Sequence, residues 1–427
     1  MKALLNRARP LLLALCGTAM VAACDESLDG GLACPALCPE PAAQVRDTTL
    51  FAVVLDTSIG GFPPLGTEAE FALTYRPDTL ETGIIVRYDS LPTTYRHVNV
   101  PEDSLITAVD SAVIKLRVAA SDTLGPPITV QIYDVDLDSP GEDTSAAVLA
   151  PLFVRERLLG ERTFTAVEFR DSLIIPILSQ AIQDRINAPD DSLRRLRIGI
   201  RIVSTGSAEI QVFSSNFFGA PPLLYFRASP DTLNVPAIEM GPTSRTPDNV
   251  SIAADLADFQ IIFRGPAEPP PSVLRVGGIP GRRVYMRFDI PSVILDSSSI
   301  IRATLLMTQR PVPDAPEGQD SMAVQPLRLT ASGVVTDIAR ILLFISGAFD
   351  STMSVPADSA VRPFELIDLV KSWRGTDPEV TPRAIALRSS SEGVDGRLVD
   401  FFSKEAPMDV RPRIRLTYVP RALPGLP

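Results

Sequence analysis

The densest cluster of side chains that could perform chemistry is acidic. Asp134, Asp136 and Asp138 alternate along a predicted turn. Alternate carboxylates can coordinate a hard, oxygen-seeking cation, so calcium is one interpretation of this pattern. The segment departs from an EF-hand loop, because Ser139 stands where that loop needs glycine and Ser145 stands where its bidentate glutamate belongs. A solvated acidic turn without an ion is therefore the favoured interpretation, and calcium is the alternative.

Aromatic and planar polar side chains meet in a segment bounded by prolines. Tyr95 and Arg96 lie between Pro92 and Pro101, which predicts a loop. An aromatic ring beside a guanidinium could contact a ligand, but a plain surface loop is the simpler interpretation. Trp373, the single tryptophan, ends an amphipathic stretch. Packing in the core is therefore favoured over an exposed platform for a sugar ring.

The sequence offers few side chains for catalysis. His97 is the single histidine, which excludes any mechanism that needs two histidines. The sequence contains no nucleophile elbow, zinc-protease helix, phosphate-cradling loop or dinucleotide fingerprint. It therefore predicts a protein that is not an enzyme, with a glycosidase or lyase that uses carboxylates alone as the alternative. The net charge of −11 argues against a nucleic-acid partner, which would need a basic surface.

The N-terminal segment, residues 1–23, has the pattern of a secretory signal. Residues 1–9 are basic, and residues 10–23 are uncharged and end in small side chains. The segment Val21-Ala22-Ala23-Cys24 resembles the lipobox of bacterial lipoproteins. This resemblance implies that the chain is cut before Cys24, that Cys24 carries the lipid and that residues 24–44 form a tether. We expect an exported protein, lipid-anchored at the outer membrane or at the periplasmic face of the inner membrane.

Two further cysteines lie in this tether. An exported chain meets an oxidising compartment, so Cys34 and Cys38 are predicted to form a small local disulfide. A zinc site would need about four ligands, which this pair and one distant histidine cannot supply. The predicted disulfide would stiffen the Gly/Pro-rich tether.

These candidate residues need a scaffold, and the composition predicts one made of strands. Proline accounts for 40 of the 427 residues, which disfavours a mainly helical chain and favours short strands joined by turns. Ile198, Ile200 and Ile202 alternate with other residues at a period of two, which is typical of a half-buried antiparallel strand. We therefore expect an all-β protein made of antiparallel β-sandwiches.

The chain contains an internal repeat. Four segments of the first half match four segments of the second half in the same order and at nearly constant spacing. The matched segments begin at Ile84 and Val284, at Ser111 and Arg302, at Ile198 and Ile385, and at Phe213 and Phe402. The repeat predicts two tandem β-sandwich domains, at residues 45–228 and 229–420.

Each domain is predicted to contain one or two short helices. The apolar spacing predicts a helix at residues 174–187 in the first half and at residues 366–373 in the second half. Residues 335–345 fit either a helix or a strand.

The first matched segment carries charged residues opposite its apolar face. Arg87 and Asp89 share one face of the strand, as do Arg287 and Asp289 in the second copy, because residues two apart point the same way. This pattern predicts a solvated ladder or a cross-strand ion pair. Either would be structural.

The second half resembles the DNRLRE-type domains of secreted bacterial proteins. The resemblance spans roughly residues 270–420. It rests on residues 285–289, 303–305, 364–373, 402–406 and 411–414. The first half resembles the same domains more faintly. The resemblance implies a jelly-roll β-sandwich, an extracellular location, frequent association with polysaccharide and no catalysis.

These expectations combine into a function. We expect a lipid-anchored, non-catalytic cell-envelope protein that binds extracellular polysaccharide through two β-sandwich domains. The acidic chain should favour neutral polymers, or acidic polymers only with calcium present. The alternative is a structural or adhesive surface lipoprotein whose partner is another protein.

Overall fold

The computed structural model describes most of residues 45–421, which belong to one compact unit. The residues within this range that it leaves undescribed are 97–101, 122–124, 137–143, 170, 191–192, 218–219, 230–235, 244–256, 313–320, 332–335, 349–350, 355–357, 379 and 395. Within the described part, no helix has the length and apolar character that a membrane span requires.

Strands make up 52% of the residues that the structure describes and helices 11%, which confirms the predicted all-β class. The strands are β1 Arg46–Leu50, β2 Val53–Phe62, β3 Glu70–Arg76, β4 Leu80–Tyr88, β5 Thr94–Arg96, β6 Asp103–Leu105, β7 Ala108–Ser121, β8 Ile128–Asp134, β9 Leu158–Phe164, β10 Ser172–Ile177, β11 Leu196–Ser204, β12 Ala208–Phe213, β13 Leu223–Ser229, β14 Ile238–Met240, β15 Asp258–Arg264, β16 Val273–Gly277, β17 Gly281–Phe288, β18 Ser298–Arg310, β19 Met322–Leu329, β20 Ile345–Ala348, β21 Thr352–Ser354, β22 Val361–Glu365, β23 Ala384–Ser389, β24 Leu398–Phe402 and β25 Arg413–Pro420. The α-helices are α1 Ala146–Leu149, α2 Ser179–Ile186, α3 Ser292–Leu295, α4 Ile338–Ile341 and α5 Ile367–Ser372.

The strands form two large sheets, each wrapped around its own core. The first lobe is the 11-stranded sheet β14-β13-β7-β12-β3-β4-β11-β8-β9, with β10 paired to β7 and β15 paired to β4. The second lobe is the 12-stranded sheet β1-β25-β18-β24-β16-β17-β23-β19-β20, with β2 on β17, β21 on β19 and β22 on β18. Strands β5 and β6 form a separate hairpin. The sheets form sandwich-like layers, as the sequence predicts.

The strand registers agree with the repeat read from the sequence. Val86 pairs with Ile198 in the first lobe, and their matched residues Met286 and Ile385 pair in the second lobe. The same holds farther along the sheets. Ile114 pairs with Leu224 in the first lobe, and their counterparts Leu305 and Ile414 pair in the second.

Strand pairing crosses the predicted domain boundary at residues 228 and 229 in both directions. Strands β1 and β2 come before the first lobe in the chain but pair with β25 and β17 of the second lobe. Strands β14 and β15 follow that boundary but pair with β13 and β4 of the first lobe. Residues 46–62, which we call the exchanged segment, therefore belong to the second lobe, and residues 238–264 complete the first lobe.

The cores lie where the sequence alternation places them. Ile84, Val86 and Tyr88 are buried in the core of the first lobe. Trp373 is 2% exposed in the core of the second lobe, with its ring centroid 5.6 Å from that of Phe288. The prediction that Trp373 packs in the core is confirmed.

One of the three helix predictions needs correction. Residues 174–177 belong to strand β10, and helix α2 begins only at Ser179. Leu173, Ile175 and Ile177 are buried, and the residues between them are not. This burial repeats every two residues, which is the pattern of a strand, and it continues as far as residue 177. Residues 335–345 contain both predicted alternatives, because α4 is followed by β20, which begins at Ile345. Helix α5 confirms the third prediction.

The charged face of the first matched segment differs between the lobes. Arg87 Nε donates to Asp89 Oδ1 at 2.7 Å, and both residues are 7% exposed. This contact is a buried ion pair within one segment, so the predicted solvated ladder is wrong in the first lobe. Arg287 and Asp289 are exposed in the second lobe.

Candidate functional site

The described part of the acidic cluster around Asp134 and Asp136 is an ion-pair network. Arg185 Nη2 donates to Asp134 Oδ2 at 2.9 Å, and its Nη1 lies 3.3 Å from Asp136 Oδ2. Arg195 Nε donates to Asp136 Oδ1 at 3.0 Å. Arg157 donates to the backbone carbonyl oxygens of both aspartates, at 2.7 and 2.6 Å. The carboxylates thus already have cationic partners, which an ion would have to displace.

Burial distinguishes the described aspartates of this cluster from a solvated turn. Asp136 is 7% exposed, so this part of the cluster is not a solvated turn. Asp138 lies outside the described residues. Among the residues that the structure describes, no three Asp, Glu, His or Cys side chains are grouped so that they could hold a metal ion.

The candidate ligand contacts Tyr95 and Arg96 lie on a hairpin. Tyr95 pairs with Ser104 and Arg96 with Asp103, so the predicted loop is a two-stranded hairpin at this point. Tyr95 is half-buried and packs against the core of the first lobe, whereas Arg96 is exposed. The tyrosine therefore acts as a packing residue, and its ring is not a free platform.

Exposed aromatic platforms are scarce. All seven tyrosines lie within the described residues, and none of them is exposed; the same is true of Trp373. Among the described aromatic residues, Phe51, Phe217 and Phe344 are the exposed ones. A sugar site made of coplanar tyrosine or tryptophan rings is therefore absent from the described surface.

The predicted modification sites cannot be placed. Cys24, Cys34 and Cys38 lie outside the described residues, as do the predicted signal and tether. Lipidation at Cys24 and a disulfide between Cys34 and Cys38 stay predictions.

One cleft lies where the two lobes meet. It has a volume of about 440 Å³. Its floor is apolar and contains Leu80, Ile279 and Leu398. Its rim is polar and contains Thr79, four charged residues and a proline-rich connection. The charged residues are Arg76, Asp78, Glu268 and Arg275. The other lining residues are Gly265, Pro266, Ala267, Pro269, Pro270, Val312 and Gly396.

The charges around this cleft are balanced by neighbours. Arg275 binds Asp400 in a bidentate contact, at 2.8 and 2.9 Å. Arg76 Nη2 donates to Glu209 Oε2 at 2.8 Å. Glu268 binds Arg282. The cleft therefore presents polar groups whose charges are largely compensated, around an apolar floor.

A smaller cavity of about 140 Å³ lies on the connection from β2 to β3. Glu68 lines it and is 6% exposed, and its Oε2 has no hydrogen-bond partner among the described residues. Burial raises the pKa of Glu68 to about 7; backbone N–H groups, including those of Gly66 and Gln260, oppose this shift, and the charge of Asp258 adds to it. Sequence analysis missed this residue, because nothing in its local pattern indicates burial.

Two aspartates anchor the strands that complete each lobe. Asp56 on β2 pairs with Met286, and Asp258 on β15 pairs with Val86, and these two partners are matched positions of the repeat. Asp56 Oδ2 accepts the Lys404 backbone N–H at 2.8 Å. We call Asp56 and Asp258 the anchoring aspartates. Their spacing in the sequence is close to that of the matched segments, which is the signal that could have identified them.

Asp258 makes the more complete set of contacts. Its Oδ2 accepts the Ser215 backbone N–H at 2.7 Å, and its Oδ1 accepts the Ser215 hydroxyl at 2.5 Å. Burial raises the pKa of Asp258, and it raises the pKa of Asp56 to about 6. The carboxylates with raised pKa values thus hold strands together, and the anchoring aspartates do not line the 440 Å³ cleft.

Comparison with known proteins adds no family. No protein-family model matches the chain, and no curated protein matches it. Among solved structures, the Macrobrachium rosenbergii nodavirus is 10% identical over 90% of this chain and 92% of that chain, with a TM-score of 0.15. The infectious bursal disease virus VP2 subviral particle is 10% identical over 88% and 76%, with a TM-score of 0.10. At these TM-scores neither likeness supports a conclusion about fold or function.

Proposed function

We propose that the protein is a lipid-anchored, non-catalytic protein of the bacterial cell envelope that binds extracellular polysaccharide in the cleft between its lobes. The observation that carries this proposal is the cleft of about 440 Å³, which lies in the usual size range of ligand sites. The lipobox-like segment and the resemblance of the second half to DNRLRE-type domains support the location and the ligand class.

The cleft has the two kinds of surface that a sugar chain needs. Half-buried Leu398 offers an apolar contact for the C–H face of a pyranose ring, beside the buried side chains of Leu80 and Ile279. Thr79 and the backbone of the proline-rich connection offer hydrogen-bond partners for hydroxyl groups. Aliphatic side chains take the place of an aromatic platform here, so we expect weak binding.

The charges of the protein favour some polysaccharides over others. The arginines at the cleft engage carboxylates, and the whole chain carries a net charge of −11. A polyanion would therefore meet net repulsion at long range. We expect neutral polymers to bind without calcium, and acidic polymers to bind only where calcium bridges the charges.

A cleft-filling substitution tests the proposal. Gly265 lines the cleft, and a Cβ at this position would meet only Ile262 Cγ2, at 3.5 Å. Gly265→Trp should therefore fold and fill the cleft. Gly206→Trp is the matched control, because its Cβ would meet only Pro126 Cγ, also at 3.5 Å, at a site that does not line the cleft.

The chain from residue 25 onward would be measured on a polysaccharide array, with calcium and with chelator. We expect binding by the wild type and by Gly206→Trp, and loss of binding by Gly265→Trp. Equal binding by all three would move the site away from the cleft. Absence of binding by the wild type to every polymer would refute polysaccharide binding itself.

A structural or adhesive role with a protein partner is the second candidate, and one observation favours it. Val45, Phe51, Val54 and Leu55 are exposed apolar side chains close together in the chain at the start of the second lobe. Photo-crosslinking from position 51 in cells should then capture one defined protein, which crosslinking from the equally exposed Phe344 does not capture. The same products from both positions would argue against this role.

A further inference from the structure

The exchanged segment fills a site on the second lobe that is built for a pair of strands. Strand β1 pairs with β25 from Arg46 to Leu50, and β2 pairs with β17 as far as Phe62. Ala52 and Val53 are buried in the core of the second lobe, and Phe62 is buried in a smaller cluster beside it. Without this segment, the edges of β25 and β17 and part of the core would face solvent.

The first lobe holds an equivalent pair of strands in the same register. Residues 258–262 of β15 pair with β4 as residues 56–60 of β2 pair with β17. Both ladders then skip one residue, Phe263 in β15 and Gly61 in β2, before the last pair. Such agreement in register and bulge position indicates that each lobe requires its own pair of strands, whichever part of the chain supplies it.

The two pairs differ in how the chain reaches them. Strands β14 and β15 lie between the last strand of the first lobe and the first strand of the second. The exchanged segment instead reaches the second lobe from in front of the first lobe, across the connection 63–69. This connection is therefore the single covalent link that holds the exchanged segment close to its own first lobe.

The connection 63–69 contains a source of instability. Glu68 is buried there with an oxygen atom that lacks a partner among the described residues. A buried acceptor without a partner carries a desolvation cost, which is larger when the group is charged. Leu65, in the same connection, is 41% exposed. Opening of the connection would return Glu68 to water and would expose little additional core.

We propose that the second lobe also accepts the exchanged segment of a second copy of this chain, which gives a strand-exchanged dimer. Every contact of residues 46–62 with β17, β25 and the core is the same whether the segment comes from its own chain or from the other copy. The two arrangements differ only in the connection 63–69 and in the entropy of association. Copies held on one surface by the proposed anchor would meet at high effective concentration, which favours exchange.

Cysteines placed across the β1–β25 ladder distinguish the two arrangements. Thr49 and Arg415 are paired and exposed. One chain would carry Thr49→Cys and the other Arg415→Cys, both from residue 25 onward with Cys34→Ser and Cys38→Ser. The two chains would be mixed, partly unfolded, refolded together and oxidised. We expect a disulfide-linked product with twice the mass of one chain.

Two controls separate exchange from random collision. Arg413→Cys replaces Arg415→Cys in the first control, which places the second cysteine out of register with Thr49→Cys, too far for a disulfide. This mixture should give no linked product. A Gly-Ser insertion after Leu65 in both chains relaxes the connection and should lower the yield of the linked product.

The outcomes decide the proposal. A linked product that forms only with the in-register pair and falls with the insertion supports it. A single chain with both Thr49→Cys and Arg415→Cys that closes internally, together with no product of double mass from the mixed chains, would overturn it. Equal yields from both cysteine pairs would also overturn it.

Discussion

Asp258 in the first lobe and Asp56 in the second lobe occupy equivalent positions, yet their surroundings differ. Asp258 accepts both the backbone N–H and the hydroxyl of Ser215. Asp56 accepts the backbone N–H of Lys404, and its Oδ1 has no partner among the described residues. Lys404 stands where the first lobe has Ser215, so the hydroxyl donor is missing. At this position the second lobe thus holds its exchanged strand with one hydrogen bond fewer.

The charged pair on the first matched segment shows the same contrast. Arg87 and Asp89 are buried and bonded to each other, whereas Arg287 and Asp289 are exposed. The face of β4 that carries Ile85 is covered by the cluster that contains Leu149 of helix α1. The repeat therefore conserves strand order and register, while the elements that cover each sheet differ.

The prediction with the largest expected loss of stability tests in which lobe the exchanged segment packs. Trp373→Ala should cost about 3–5 kcal/mol of unfolding free energy, because a large buried ring leaves a cavity. Hydrogen exchange measured by mass spectrometry should then accelerate in β18 and β25, and also in residues 46–62. Phe226→Ala, in the core of the first lobe, is the matched control and should accelerate β7 and β13 instead. Residues 46–62 that respond to Phe226→Ala alone would contradict the assignment.

The second prediction compares the two arginines. Arg87→Leu leaves Asp89 buried without this partner and should cost about 3 kcal/mol. Arg287→Leu removes an exposed charge and should change stability by less than about 0.5 kcal/mol. Urea unfolding of both variants measures the difference. Equal losses would show that burial of the first pair does not matter.

The third prediction concerns pH. The pKa of Glu68 is raised from 4.5 to about 7, so the folded protein binds more protons than the unfolded chain between these values. The free energy of unfolding should therefore fall as the pH rises through this range. Glu68→Gln should remove its share of that decline, and the share of Asp56, whose pKa is raised to about 6, should remain. Glu268→Gln, on the corresponding connection of the second lobe and largely exposed, should leave the decline unchanged.

The smallest effect concerns the missing hydroxyl. Lys404→Ser should supply the donor that Asp56 Oδ1 lacks and should raise the unfolding free energy by about 0.5–1.5 kcal/mol. Ser215→Ala, the converse change, should lower it by a similar amount. Thermal unfolding of both variants checks the pair. If Lys404→Ser does not raise the unfolding free energy, Asp56 Oδ1 already accepts a hydrogen bond from another donor.

Much of the scaffold could be predicted from the sequence because its signals are local. The period of two marks Ile198, Ile200 and Ile202 as one buried face, and the structure buries all three. The repeat agrees with the ladders, since equivalent residues must face equivalent partners. Trp373 was predicted to be buried from its place on an amphipathic stretch.

Only the tertiary structure decided which strands are neighbours. Alternation shows which side chains of a strand are buried, but it does not show which other strand covers its edge. Register alone does not assign the exchanged segment to one lobe, because β2 and β15 pair with their partners in the same register. Burial of Glu68 and the two anchoring aspartates follows from that choice. The same long-range folding brought Arg157, Arg185 and Arg195 to Asp134 and Asp136, so an acidic run in the sequence is an ion-pair network in the fold.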